Sequence, residues 1–152
     1  LAEARARGAR VVAMANNPGA ALFKDADVSI LLQTPPEVVS GSTRMGAGTA
    51  QKIAFNMFST LVGIRLGHVY DGHMVNLKAD NAKLRGRAVR IVTDIAGIDA
   101  TEAARHLDTA SGSVKIAILL AAGAGHAEAA ETALAAAGQN LRQALESFQP
   151  KG

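Results

Sequence analysis

The run Pro36-Glu-Val-Val-Ser-Gly-Ser-Thr-Arg-Met-Gly-Ala-Gly-Thr-Ala-Gln-Lys52 carries the densest set of groups that could do chemistry in this sequence. Its ingredients suit an oxyanion such as phosphate. The hydroxyls of Ser42 and Thr43 can donate, and Arg44 can offer a two-pronged guanidinium. Amides at the start of the helix that follows have no partner within that helix and carry partial positive charge. Ser42 or Thr43 is equally suited to serve only as a helix N-cap, with Arg44 a solvated surface residue. Glu37 can hydrogen-bond a ligand hydroxyl or the amides of its own loop.

The remaining ionisable residues offer less. His68, His73, His106 and His126 stand at no metal-like spacing with carboxylates, so surface or packing roles are expected and no metal site is assigned. Asp71 and His73 flank Gly72, but neighbours in a turn make no catalytic dyad without a nucleophile beside them. Cysteine is absent, which removes disulfides, thiolate metal ligands and thiol nucleophiles together.

The loop must be positioned by α/β structure. Leu1–Gly8 reads as the end of a helix with a glycine C-cap, so the chain is expected to begin in mid-fold, as the C-terminal portion of a longer protein. Arg10–Ala15 is a buried-strand signal closed by Asn16-Asn17-Pro18-Gly19, and Val28–Gln33 is a second, stopped by Thr34-Pro35-Pro36. A short helix or turn over 20–25 makes the unit strand, crossover, parallel strand. Two such strands are not a stable sheet by themselves, so exposed apolar surface and self-association are expected.

Beyond the loop, Ala47, Ala50, Ile53, Ala54, Met57, Leu61 and Ile64 recur every three or four residues, predicting a long helix over 42–68. The row Lys52, Asn56, Ser59 and Gly63 on that helix suits either a close helix contact or solvent. Met74–Ile98 predicts another helix, with Lys83, Arg87 and Arg90 as a basic stripe. The last third repeats itself at an offset of about 27 residues, aligning Leu107 with Leu134, Val114 with Leu141 and Lys115 with Arg142, the signature of paired helical hairpins. Ser111-Gly112-Ser113 and Gly138-Gln139-Asn140 supply the two turns.

In 152 residues, 49% hydrophobic and 19% charged, there is material for one ordinary core or two small ones. No apolar run is long enough to span a bilayer, so no membrane association is expected. A net charge of +3 suits an anionic ligand as readily as nucleic acid. One tyrosine, four phenylalanines and no recognisable motif argue against nucleic acid.

Glu37 to Lys52 also resembles the signature shared by N-acetylmuramic acid 6-phosphate etherases and glucokinase regulatory protein, both built on sugar-isomerase (SIS) domains. It departs from that signature at Pro35, usually Gly, and at Gly46, usually Lys. Met74-Val75, Asn81 and Lys83-Leu84 resemble the etherase segment after the long helix, and the repeat resembles the small ubiquitin-associated-like tail of those enzymes. The resemblance implies an α/β fold: the C-terminal part of a flavodoxin-like SIS domain over 1–70, a connecting helix over 71–98, and a small helical domain over 99–152. It implies a cytoplasmic, homodimeric, cofactor-free enzyme of cell-wall recycling. Its substrate would be a sugar phosphate contacted here by Glu37, Ser42, Thr43, Arg44, Asn81 and Lys83. The acid and base glutamates of the family lie in the half absent from this sequence, so no catalytic residue is assigned. The alternative is a regulatory SIS protein that binds a sugar phosphate without chemistry.

Overall fold

Charge and small residues shape the first turn of chain. The computed structural model describes residues 2–148. Helix α1 (Ala2–Ala6) ends where Gly8 takes a left-handed φ of 76°, letting the amides of Gly8 and Ala9 reach back to the carbonyls of Arg5 and Ala4. Strands β1 (Val12–Ala15) and β2 (Val28–Leu31) then pair in parallel, Val12 opposite Val28 and Met14 opposite Ile30, with a 3-10 turn at Ala21–Asp25 between them. Asp27 fixes the start of this pair: its Oδ2 accepts from the Val11 amide at 2.6 Å, and its Oδ1 from Arg5 at 3.1 Å. The backbone bond, helped by Arg5 and Arg10, holds the Asp27 carboxyl below its ordinary range.

The long helix α2 (Ala47–Arg65) is shorter than the period over 42–68 predicts. Its front end waits for the loop to turn, and its rear ends at Gly67 (φ 67°), where the amides of Gly67 and His68 close onto the carbonyls of Ile64 and Gly63. Ile53, Met57, Leu61 and Ile64, the row that the period marks for burial, are exposed.

A short antiparallel hairpin, β3 (Val69–Tyr70) and β4 (His73–Met74), follows, where the sequence showed no strand signal. Two residues per arm are too few to set a period. Its turn is nevertheless written in Asp71-Gly72, whose φ values of 45° and 79° are those of a tight hairpin turn. The helix expected over Met74–Ile98 starts only at Ala82 as α3 (Ala82–Ala96), with Asn81 capping it through Oδ1 to the Leu84 amide. Residues 75–79 are instead drawn into extended pairing: the Ala79 amide donates to the Gly112 carbonyl, and the Val114 amide to the Leu77 carbonyl. Long-range pairing there overrides local helix propensity.

The helical repeat is present as α4 (Ala100–Thr109), α5 (Val114–Ala121), α6 (Ala127–Ala136) and α7 (Leu141–Glu146). Its two turns match residue for residue in backbone: Ser111 and Gly138 at φ 49° and 58°, Gly112 and Gln139 at 81° and 67°. The chain divides into two compact units, residues 1–60 and 61–152. Within the second, Val75, Val92, Leu107, Val114, Ile118, Leu119 and Leu141 form a fully buried core around α5. The fold is mixed α/β, mostly helical, with one small parallel sheet. Among the described residues no helix is long and apolar enough to cross a membrane.

Candidate functional site

The site is built where β1 and β2 release the chain, the position at which open α/β sheets bind ligands. Met14, Ala15 and Asn16 at the end of β1, Thr34 and Pro36 beyond β2, and Ala47, Gly48 and Gln51 at the start of α2 surround a cavity of about 640 Å³. All of it lies within residues 1–60.

Of the two roles open to Glu37, the structure shows the second. Its carboxylate accepts from the Gly46 amide (3.0 and 3.1 Å) and the Ala47 amide (3.1 Å), so it is Glu37 that caps α2. A negative charge at that helix start is favoured by the unpaired amides there. Gly46 permits it: a Cβ at that position would stand 3.3 Å from Glu37 Oε1.

With the cap supplied by Glu37, Ser42 and Thr43 are not needed for it. The backbone of each is used, the Ser42 amide donating to the Val39 carbonyl and the Thr43 carbonyl accepting from Gly48 at 2.7 Å. Among the described residues their hydroxyls and the Arg44 guanidinium make no hydrogen bond or ion pair. The loop sorts these groups to two sides: Thr43 lines the 640 Å³ cavity, whereas Ser42 and Arg44 line a second one of about 360 Å³ with Val38 and Met45. Glu37 borders both.

Asn81 and Lys83 belong to the second unit. Asn81 is the N-cap of α3 and also donates through Nδ2 to Asp80, and Lys83 is exposed on the first turn of that helix. The basic stripe is solvated, with Arg87 and Arg90 exposed, while Arg85 pairs with Asp108 at 2.7 Å. Asp71 pairs with Arg142 at 2.7 Å rather than with His73, and this bond holds the Arg142 guanidinium above its ordinary range. His126 caps α6, its Nδ1 accepting from the Ala129 amide. No group of three metal-ligating side chains occurs among the described residues.

Sequence reasoning missed Asn16, Asn17, Thr34 and Gln51. Asn16 stands in a stretch read only as a turn, and it forms a chain of amide bonds: Nδ2 donates to the Leu32 carbonyl at 2.8 Å, and Oδ1 accepts from Gln51 Nε2 at 2.6 Å. The signal available was two side-chain amides at the ends of elements that a parallel pair brings together.

A parallel pair, a carboxylate-capped helix and a polar cavity at the strand ends make up the candidate site of an α/β unit. No family model matches the chain. Among curated relatives, the N-acetylmuramic acid 6-phosphate etherase of Deinococcus radiodurans is 49% identical over 142 residues, covering 93% of this chain and 46% of the relative. The protein of the same name from Symbiobacterium thermophilum is 55% identical over 119 residues, covering 78% and 40%. That of a Synechococcus strain is 42% identical over 148 residues, covering 97% and 47%. The chain spans about half the length of the curated relatives it matches. Over that span it is a member of the N-acetylmuramic acid 6-phosphate etherase family.

Proposed function

We propose that the chain is the C-terminal half of an etherase that splits the D-lactyl ether of N-acetylmuramic acid 6-phosphate, releasing N-acetylglucosamine 6-phosphate and D-lactate. Its part is to hold the sugar phosphate. The observation that carries this is the division of labour in the loop: Glu37 caps α2, which leaves the hydroxyls of Ser42 and Thr43 and the guanidinium of Arg44 for an anion. Names shared with relatives at 42–55% identity support the substrate class.

Elimination of lactate requires a base that takes the proton at C2 of the sugar and an acid at the leaving oxygen on C3, two groups with separated proton affinities; water then adds across the resulting double bond to give N-acetylglucosamine 6-phosphate. The cavity offers one carboxylate, Glu37, already engaged with two amides. As the resemblance implies, the acid and base belong to the rest of the protein, and residues 1–70 are the C-terminal part of its SIS domain. The helical repeat over 99–152 is the ubiquitin-associated-like tail, joined through a connecting segment over 71–98. Asn81 and Lys83 are further substrate contacts of this reading, on the family resemblance alone. A homodimer in the cytoplasm completes the reading. The lone, engaged carboxylate also favours, as the second reading, a regulatory protein that binds a sugar phosphate without turning it over.

Charge-assisted hydrogen bonds to a phosphate dianion contribute roughly 1.5–3 kcal/mol each. In the full-length protein, Thr43→Ala therefore weakens sugar-phosphate binding by roughly tenfold with little change in melting temperature, while Arg90→Ala changes neither. Calorimetric titration checks both; unchanged affinity with a clear loss of stability in Thr43→Ala would return the loop to a structural role. Lactate release by the full-length protein separates the enzyme from the regulatory reading.

A further inference from the structure

The 640 Å³ cavity has a chemistry that phosphate binding does not explain. Glu37 is the one charged residue in its lining, and the other polar groups are the amides of Asn16, Asn17 and Gln51 and the hydroxyls of Thr34 and Thr43. Arg44 lines the other cavity. Thr43 is the one group of this lining that the phosphate reading uses; the rest of the space, cation-free and beside a carboxylate, suits a neutral polyol or an amide rather than a dianion.

The hydrogen-bond polarity of this space is set from outside it. The Leu32 carbonyl can only accept, so Asn16 must present Nδ2 to it at 2.8 Å. That turns Asn16 Oδ1 toward α2, where it requires a donor. Gln51 supplies one, Nε2 at 2.6 Å. With one of its two Nε2 protons committed to Asn16, Gln51 is held in one orientation and offers a ligand its acceptor Oε1 beside the remaining N–H. A strand-end carbonyl thus fixes, through two amides, which way round Gln51 holds its Oε1 acceptor.

We infer that Gln51, oriented by Asn16, is a specificity-determining acceptor for a hydroxyl or acetamido N–H on the neutral part of the bound sugar, with Asn16 its positioning residue. This rests on the sugar-phosphate reading above. The phosphate is then read by Ser42, Thr43 and Arg44 of the loop and the neutral end by Gln51, each by groups of matching polarity.

The test is calorimetric titration of the full-length protein with N-acetylmuramic acid 6-phosphate and, separately, inorganic phosphate. Gln51→Met, close in volume and without the amide, is expected to weaken the sugar phosphate about tenfold and to leave inorganic phosphate unchanged. Asn16→Ala is expected to do the same through a misoriented Gln51, and the double variant to be no weaker than Gln51→Met alone. Wild-type affinity for the sugar phosphate in Gln51→Met overturns the inference. So does an equal loss for both ligands, which would mark a collapsed cavity, or additive losses in the double variant. If the unsubstituted protein binds neither ligand, the sugar-phosphate reading itself fails and takes this inference with it.

Discussion

In residues 67–148 the large apolar side chains, Met74 excepted, are buried or half-buried; in residues 2–66 most are exposed. The second unit fully buries Leu107, Ile118, Leu119 and Leu141, each packed by helices that follow one another along the chain. In the first, only Val11 and Ala13 among the described hydrophobic residues are buried, while Ile53, Phe55, Met57 and Phe58 of α2 are each more than half exposed. What orders the first unit is polar: Asp27 on the Val11 amide, Asn16 on the Leu32 carbonyl, Glu37 on the helix start. The difference teaches that forming an element and covering it are separate matters. A helix can be complete in its backbone bonds and still need a surface to lie against. The candidate site stands in the unit where that need is unmet, and apolar patches of this kind mark contact surfaces.

The comparison can be broken most forcefully from the core side. Leu107→Ala removes a fully buried side chain and should cost about 2–5 kcal/mol, whereas Ile53→Ala in the same protein should stay within about 0.5 kcal/mol when the species is monomeric. Denaturant unfolding checks both. A large loss in Ile53→Ala, accompanied by weaker self-association in sedimentation, would show that α2 is covered by another copy.

Glycine gives the next effect. A Cβ at Gly112 would meet the Ala79 carbonyl oxygen at 3.0 Å on a residue already at φ 81°, while Gly138, at φ 58°, has open space around it. Gly112→Ala should therefore cost more than Gly138→Ala, the latter limited to about 1 kcal/mol of backbone strain. Equal melting temperatures for the two variants would show that the extended segment at 75–79 yields.

Acid gives the smallest and most local effect. The native Asp27 carboxyl titrates below its ordinary range, so the unfolded chain binds the proton more readily. Its contribution is present above the ordinary aspartate value and is lost as pH falls through the native one. Asp27→Asn should flatten that part of the pH–stability curve, and an unchanged acid limb would mean that the Val11 bond does not matter to folding.

Much of this was legible from the residues. Gly8 announced the end of α1, β-branched runs announced β1 and β2, and the 27-residue offset announced α4 to α7. The start of α3 was not: Leu77, Lys78 and Ala79 are good helix formers, and what extends them is pairing with Gly112 and Val114, more than thirty residues away. In the site, residue types picked out Glu37, Ser42, Thr43 and Arg44, but could not show that Glu37 caps α2 or that Thr43 and Arg44 face different cavities. Gln51 was invisible for the same reason. Its meaning comes from Asn16, 35 residues earlier, and a single sequence carries no mark of that distance.

The bond from Arg142 to Asp71 joins residues 71 apart, and the guanidinium also lies 4.6 Å from the centre of the Tyr70 ring. The helices α3 to α7 pack mainly on their neighbours in sequence, so little loop entropy opposes their early formation. The hairpin and α7 can meet only once the intervening helices have folded. Arg142 therefore acts on the unfolding side of the kinetics: its removal should leave the refolding rate nearly unchanged and quicken unfolding, so that the clasp governs how long the unit stays closed rather than how fast it closes.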